Sequence, residues 1–529
     1  MPGETTNTLN RFSKTKLPDE IEYAGDFNLN AVVIQNHKGE GVDEGTGGEN
    51  ILPQMQELNI YESIYKKALT GSIVIMDATN LIANLPIQGT ERLIFKISTP
   101  GAVEDTDIID ATELTGHPFY IYKISNRKQI SQGVLLYTLH FGSREFMRNI
   151  RTKVSKAYDM PIHQAVNNIF ADKSGLDSRK KLIFEETRNK DKVVIPNMRP
   201  LDAIEMLSKR ALPKNTAGAG YYFYETTKSF HFRSWESMCV TQGAFSRPVK
   251  ATFQVKPANM QTPPGEDDFS TGGSAGSGID PTIDKQKIIE DFEQVEQYEF
   301  VNNFHDVAAN TAIGTYGHKV ITHNIFNKTY KESVYNYHNL FGRNKHTEDK
   351  TGNPAFNKFQ VSESPVDFDE KRVSDYEQSR ISLLGTTQFL HNDDTGSVFG
   401  VTADDDGRLE GVRVSLMAQV DAGTKLKMIV KGQSYLEAGD MIQFNLLSVE
   451  PTDSDRFGMD PHYSGRYIIS SIRHRITDQE YKMVLECIKD SVKEPFGSVD
   501  KFPGETTKET ATFQNLYNRV GGRVGGETI

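Results

Sequence analysis

Hydrophobic and polar positions alternate with a period of two over much of this chain, switching to a helical period in its middle. Ser72–Met76 is a run of β-branched and apolar residues, which predicts a strand buried on both faces. Leu93, Phe95 and Ile97 alternate with Arg92, Ile94 and Lys96, the pattern of a half-buried strand. Gly71 and the 86–89 segment punctuate these runs, so 58–97 reads as a β-meander. A strand within 23–35 precedes it. Two long strands, 119–124 and 134–141, follow as a hairpin that would finish a barrel.

The period then changes to 3.6. Ile162, Val166, Ile169 and Phe170 share one helix face, with Pro161 at the first turn. Leu201, Ile204, Leu207 and Ala211 repeat this behind Pro200, and Leu212-Pro213 ends the helix. A short strand is expected at 192–195, and a hairpin from 221–224 and 230–232. Residues 261–281 are Gly-, Ser- and acid-rich and predict a mobile loop. The acidic and apolar residues of 288–307 show no clear element. Residues 314–337 read as a strand, a turn at Asn327-Lys328 and a return. After a polar stretch, 342–370, a last domain is expected to start at 380–384. Leu409, Val412, Leu416 and Val420 form a helical stripe that Gly423 stops. Leu426, Met428 and Val430 alternate on a strand. Residues 467–476 and 481–488 close this domain as a second hairpin.

The two hairpins can be superposed at a constant offset: Arg127 on Arg473, Ile130 on Ile476, Ser131 on Thr477 and Leu139 on Leu485. The five residues Pro2–Thr6 recur as Pro503–Thr507, by chance or because both tails dock on equivalent surfaces.

Composition narrows the function classes. The 529 residues suffice for two to four domains, and 37% hydrophobic content points to long loops and much polar surface. A net charge of −11 argues against a nucleic-acid grip but suits a surface that nucleic acid slides past. Two cysteines, Cys239 and Cys487, exclude a disulfide framework and a cysteine-rich zinc site within one chain. The N-terminus has no signal-peptide pattern, and no apolar run is long enough to span a bilayer. Gly314–Lys319 lacks phosphate-loop spacing. His305, His318, His323, His338 and His346 are not spaced as metal ligands on a helix turn. The acidic loops at 404–407 and 453–460 lack the alternation and terminal glutamate of a calcium loop. No catalytic, cofactor or metal residues are assigned.

The words "NIYESI", "TGSIVI.D" and "LPI.G.E", with "YSG.Y", "H.I" and "KDS" in the last hairpin, resemble the baseplate hub protein of contractile-tailed phages of the T-even type, whose fold is shared with the type VI secretion spike base. The resemblance also covers the 200–211 helix and the 314–337 segment. The positions carrying it are Asp77, Leu85, Pro86, Gly89, Glu91, Pro200, Tyr316, Lys328, Tyr463, Gly465, His474, Tyr481 and Asp490, as marks of fold and assembly. It implies a mainly β, α+β chain: an arm (1–25), a first tube β-barrel (26–145), a mixed α/β middle (146–370), a second tube barrel (371–495) and a tail (496–529). It further implies a homotrimer in the virion tail baseplate, assembled in the host cytoplasm. The expected partners are a central spike below, tail-tube or tube-initiator and tape-measure proteins above, wedge proteins around, and DNA in transit. Alternatives are a type VI spike base, disfavoured because no needle repeat follows, and a tail-associated peptidoglycan hydrolase.

Overall fold

The computed structural model describes residues 25–36, 48–84, 87–99, 108–112, 117–188, 190–215, 220–239, 248–255, 291–302, 306–324, 328–342, 344–348, 371–385, 416, 420–447 and 459–492, all within the unit Met1–Lys493. The expected arm, the 261–281 loop, most of the 408–420 helix, the 404–407 acidic loop and the 500–529 tail lie outside the described residues.

The strands are β1 (Val32–Gln35), β2 (Glu49–Asn50), β3 (Met55–Ser63), β4 (Thr70–Asp77), β5 (Arg92–Ile97), β6 (Ile109–Asp110), β7 (Phe119–Ser131), β8 (Val134–Gly142), β9 (Val154–Pro161), β10 (Lys181–Phe184), β11 (Lys190–Met198), β12 (Tyr221–Glu225), β13 (Ser229–Ser234), β14 (Val249–Gln254), β15 (Val295–Asn302), β16 (Gly317–Asn324), β17 (Thr329–Asn336), β18 (Ile381–Gly385), β19 (Thr424–Lys431), β20 (Met441–Asn445), β21 (Gly465–Thr477) and β22 (Tyr481–Lys489). Between them lie short helices, including α1 (Leu81–Asn84), α2 (Arg144–Arg151), α3 (Ile162–Ala171), α4 (Pro200–Ser208) and α5 (Trp235–Cys239).

The chain is mainly β. Among the described residues, fourteen strands form one sheet, in the order β15-β19-β22-β21-β3-β4-β8-β7-β5-β1-β2, with β20 and β14 added at β21 and β6 at β5. This order contains a repeat. The path β3-β4-β8-β7-β5-β1 is matched by β15-β19-β22-β21-β20-β14. Strand lengths follow the match: β7 and β21 have 13 residues each, β8 and β22 have 9, and β4 and β19 have 8. Irregularities match too. β3 has a register shift between Met55 and Glu57, and β15 has one between Val295 and Gln297. One difference is that β1 pairs antiparallel with β5, whereas β14 pairs parallel with β20.

In place of the two expected barrels, the described strands form two similar halves of one sheet. Among the described residues no pairing closes either half. The sequence offset holds at Leu139 and Leu485, which face Ile73 and Met428 in equivalent pairs. It slips by two in the leading strand. There Ile121 faces Phe141 as Ile469 faces Cys487, and register shifts between Ser125 and Ser131 take up part of the difference.

Inward-facing residues of both halves, including Leu58, Ile73, Phe95, Leu139, Leu426, Met428, Ile469 and Leu485, form one continuous core. β4 differs from its expected two-sided burial: Ile73 and Ile75 are buried but Met76 is 41% exposed, because the outer face of the meander is not covered there. In the middle, α3 and α4 bury Ile162, Val166, Ile169, Leu201, Ile204 and Leu207 against β9–β13. β16, β17 and β18 form a separate small sheet. The 380–384 stretch therefore pairs in parallel with β16, not with strands of the last domain. Its alternation makes it a strand but cannot choose its sheet.

Candidate assembly interface

The two halves are joined edge to edge. The second part of β21, Ser471–Thr477, runs antiparallel to β3, with Ser471 opposite Ser63 and Thr477 opposite Glu57. Polar side chains fix this register. Arg473 donates to Asn59 Oδ1 at 2.9 Å and to Glu57 at 3.1 Å, Arg475 donates to Glu57 at 3.1 Å, and the Ser63 and Ser471 hydroxyls lie 2.9 Å apart. Burial pushes the Glu57 carboxyl up, but Asn59 and the two guanidiniums hold it below the usual range.

Behind this join lies a buried set of ionisable groups. Glu62 on β3 accepts from Thr227 N at 2.8 Å and Ala438 N at 3.0 Å, and its Oε1 is 3.7 Å from His474 Nε2. His474 Nδ1 is 2.7 Å from the Tyr481 hydroxyl. Glu437 accepts from Thr226 Oγ1 at 2.6 Å and lies 3.6 Å from His231 Nε2. One carboxylate of β3 thus holds the β12–β13 turn, the 436–440 turn and β21 together. Burial pushes both Glu62 and Glu437 up, but facing imidazoles, with lysines at Glu437, hold both below the usual carboxylate range. Asp490 accepts from Trp235 Nε1, Thr347 N and Thr347 Oγ1, with His346 Nδ1 at 3.1 Å. Burial raises it, but His346 and Thr347 hold it at about 2.

All three folded-state values are depressed. Their stabilisation is therefore complete above the unfolded carboxylate range, about 4, and is lost as pH falls through the folded values. For Asp490, held at about 2, the loss is on the order of 2 kcal/mol. Circular dichroism melts should show a midpoint that drops between about pH 4 and 2. An unchanged midpoint at the bottom of that window would rule this out.

The sequence-marked positions fall at turns and joins. Asp77 accepts from Thr79 N and Leu81 N, and Tyr137 points its hydroxyl at it from 3.3 Å. Leu85 and Pro86 lie outside the described residues. Gly89 takes a φ of 95°, and Glu91 accepts from the N–H groups of Gln88, Gly89 and Thr90, closing that loop. Pro200 opens α4 in its first turn. Tyr316 is buried and accepts from Asn310 at 3.2 Å. Lys328, with a φ of 52°, sits in the β16–β17 turn. Tyr463 packs against Phe300 of β15 with ring centroids 4.8 Å apart. His474 and Tyr481 belong to the Glu62 set, and Asp490 ties the end of the second hairpin to Trp235 and Thr347.

Gly465, with a φ of 136°, faces Glu348 so closely that a Cβ would come 1.9 Å from its Oε1. Gly465→Ala should therefore lower stability by about 1–3 kcal/mol, seen as a lower thermal midpoint. A neutral substitution would show that Glu348 can give way. Glu62, Glu437, His231 and Glu348 were not singled out by sequence. The only signal available was an acid inside an apolar strand, as in Ile60-Tyr61-Glu62-Ser63-Ile64.

The repeat also marks two edges with no strand partner among the described residues. β15 is the counterpart of β3, and its outer edge is uncovered. The far part of β7 is the counterpart of the joined part of β21, and its residues 126–131 are all exposed. On these edges Ile130 is 58% exposed, Tyr298 41% and Val301 63%. Among the described residues, no three His, Cys, Asp or Glu side chains converge as a metal site, and no helix is long and apolar enough to cross a membrane.

No protein-family model and no curated protein matches the chain. Among solved structures, it is similar to the 43 kDa tail protein of prophage MuSo2 from Shewanella oneidensis, at 8% identity over 88% of this chain and 100% of that one, with a TM-score of 0.44. A tail protein from Neisseria meningitidis is similar at 9% identity over 88% of this chain and 97% of that one, with a TM-score of 0.44. A component of the Escherichia coli type VI secretion system is similar at 9% identity over 84% of this chain and 76% of that one, with a TM-score of 0.37.

Proposed function

We propose that this chain is the structural hub of a contractile-tail baseplate. Three copies form a ring that matches a six-fold tail tube above to a three-fold spike below. The observation that supports this reading is the repeated sheet half. Each chain supplies two similar halves already joined edge to edge, so three chains present six. The two uncovered edges supply the joins between chains. Carried over through the matched strands, the β21–β3 register sets Lys128 of one copy opposite Glu299 of the next and Gln129 opposite Tyr298. An acidic chain around the channel lets DNA pass without pairing with its phosphates. The role is structural and not enzymatic. Spike, tube, tape-measure and wedge proteins are its neighbours in the virion.

The purified protein, alone or with its spike, should have a mass three times 59.4 kDa per hub, and electron microscopy should show a ring with a central hole. A chain that stays monomeric in both states overturns the trimer. Clearing of cell walls in a zymogram overturns the non-enzymatic role.

A further inference from the structure

The outer face of the first half carries a cavity of about 550 Å³ lined by Thr90, Arg92, Tyr120, Arg144, Met147, Arg148 and Arg151. Four arginines and no carboxylate line it, in a chain of net charge −11. Arg144, Met147, Arg148 and Arg151 are spaced to form one stripe of α2, and Arg92 and Tyr120 are paired neighbours on β5 and β7. The stripe is held in place. Arg144 pairs with Asp177 at 2.8 Å, while Arg148 donates to the carbonyls of Gly175 and Lys173 and shares the field of the same carboxylate, so Asp177 is one acid set against two guanidiniums. Arg151 is exposed and makes no ion pair among the described residues.

The second half shows what covers this place. The strand match puts Arg92 at Met441, Tyr120 at Ile468 and Arg144 at Asp490. There the chain seals its own surface. Met441 and Ile468 pack in one cluster with Trp235 and Met238 of α5, and Asp490 accepts from Trp235 and Thr347. In the first half the same position is an open basic cavity. We propose that it is a docking site for an extended acidic segment of another polypeptide, whose Asp or Glu side chains enter between Arg92 and the α2 stripe. Guanidiniums bind carboxylates in bidentate pairs, and Tyr120 and Met147 give the peptide stem an apolar wall. The site does not depend on the strand edges described above.

Fluorescence anisotropy with a labelled short peptide carrying two glutamates tests this on the full-length protein. The glutamine version of the peptide and inorganic pyrophosphate serve as competitors. The glutamate peptide should bind, and Arg148→Gln and Arg151→Gln should each weaken it by about tenfold. Arg151 is on the surface, so its variant decides the matter if Arg148→Gln fails to fold. No binding, equal binding of the glutamine peptide, or an unchanged affinity in Arg151→Gln each overturns the proposal. Pyrophosphate competing as strongly as the glutamate peptide would reduce the site to a general anion pocket and also overturn it.

Discussion

Glu62→Ala should destabilise the protein by about 3–5 kcal/mol, because it removes one partner from a buried charged set and leaves the others unpaired. Glu62 is 2% exposed and accepts from two backbone N–H groups in separate turns. Alanine would orphan the N–H groups of Thr227 and Ala438 and leave His474 facing an empty space. Glu62→Gln keeps an acceptor for one N–H and loses the charge, so about 1–3 kcal/mol is expected. Denaturant titration with matched thermal melts reads both. The idea fails if the alanine variant lies within about 1 kcal/mol of the parent. Since Glu62 links β3 to β21, limited proteolysis of the alanine variant should first cut at the turns around 227 and 438.

Charging the β15 edge should keep the proposed trimer from forming and leave a folded monomer. In Tyr298→Glu/Val301→Glu, two acids stand on an edge that is already exposed, so the monomer should keep its thermal midpoint. Added charge on a strand edge blocks its pairing with another strand, and here it would weaken association by at least about a hundredfold. Sedimentation or native mass measurement gives the answer. A variant that remains trimeric shows that β15 is not the contact. A charge-reversal cycle tests the register itself. Lys128→Glu and Glu299→Lys should each weaken assembly, and the double variant should recover most of it, as cross-strand ion pairs do. Additive losses would mean that these two residues do not face one another.

Much of this architecture was legible in the sequence because its signals are local. The period-two runs located both long hairpins, and the shared offset identified them as related. Pro161 and Pro200 marked α3 and α4. Other features depend on tertiary context. β15 lies in the 288–307 stretch where no element was legible. Its register shifts after Val295 and Phe300 break the alternation. The 380–384 stretch reads as the start of the last domain, but the fold pairs β18 with β16 of the middle region. The two-residue slip between β7 and β21 was hidden because both strands have 13 residues, which makes the simple offset look complete. The candidate site was less legible than the fold. Gly465, His474, Tyr481 and Asp490 were marked by resemblance, whereas their partners Glu348, Glu62 and Trp235 lie far away in sequence.

The β3–β21 join also shapes how the chain is made. Arg473 and Glu57 are separated by 416 positions, so the edge of β3 leaves the ribosome long before the strand that covers it. At roughly 5–20 residues per second, that edge waits for about 20–80 seconds. During this interval the β7 hairpin of the same or a neighbouring nascent chain offers a competing strand of the matching kind. Successful synthesis therefore depends on keeping the first half from pairing too early, and slowing translation after residue 142 should raise the fraction of aggregated product.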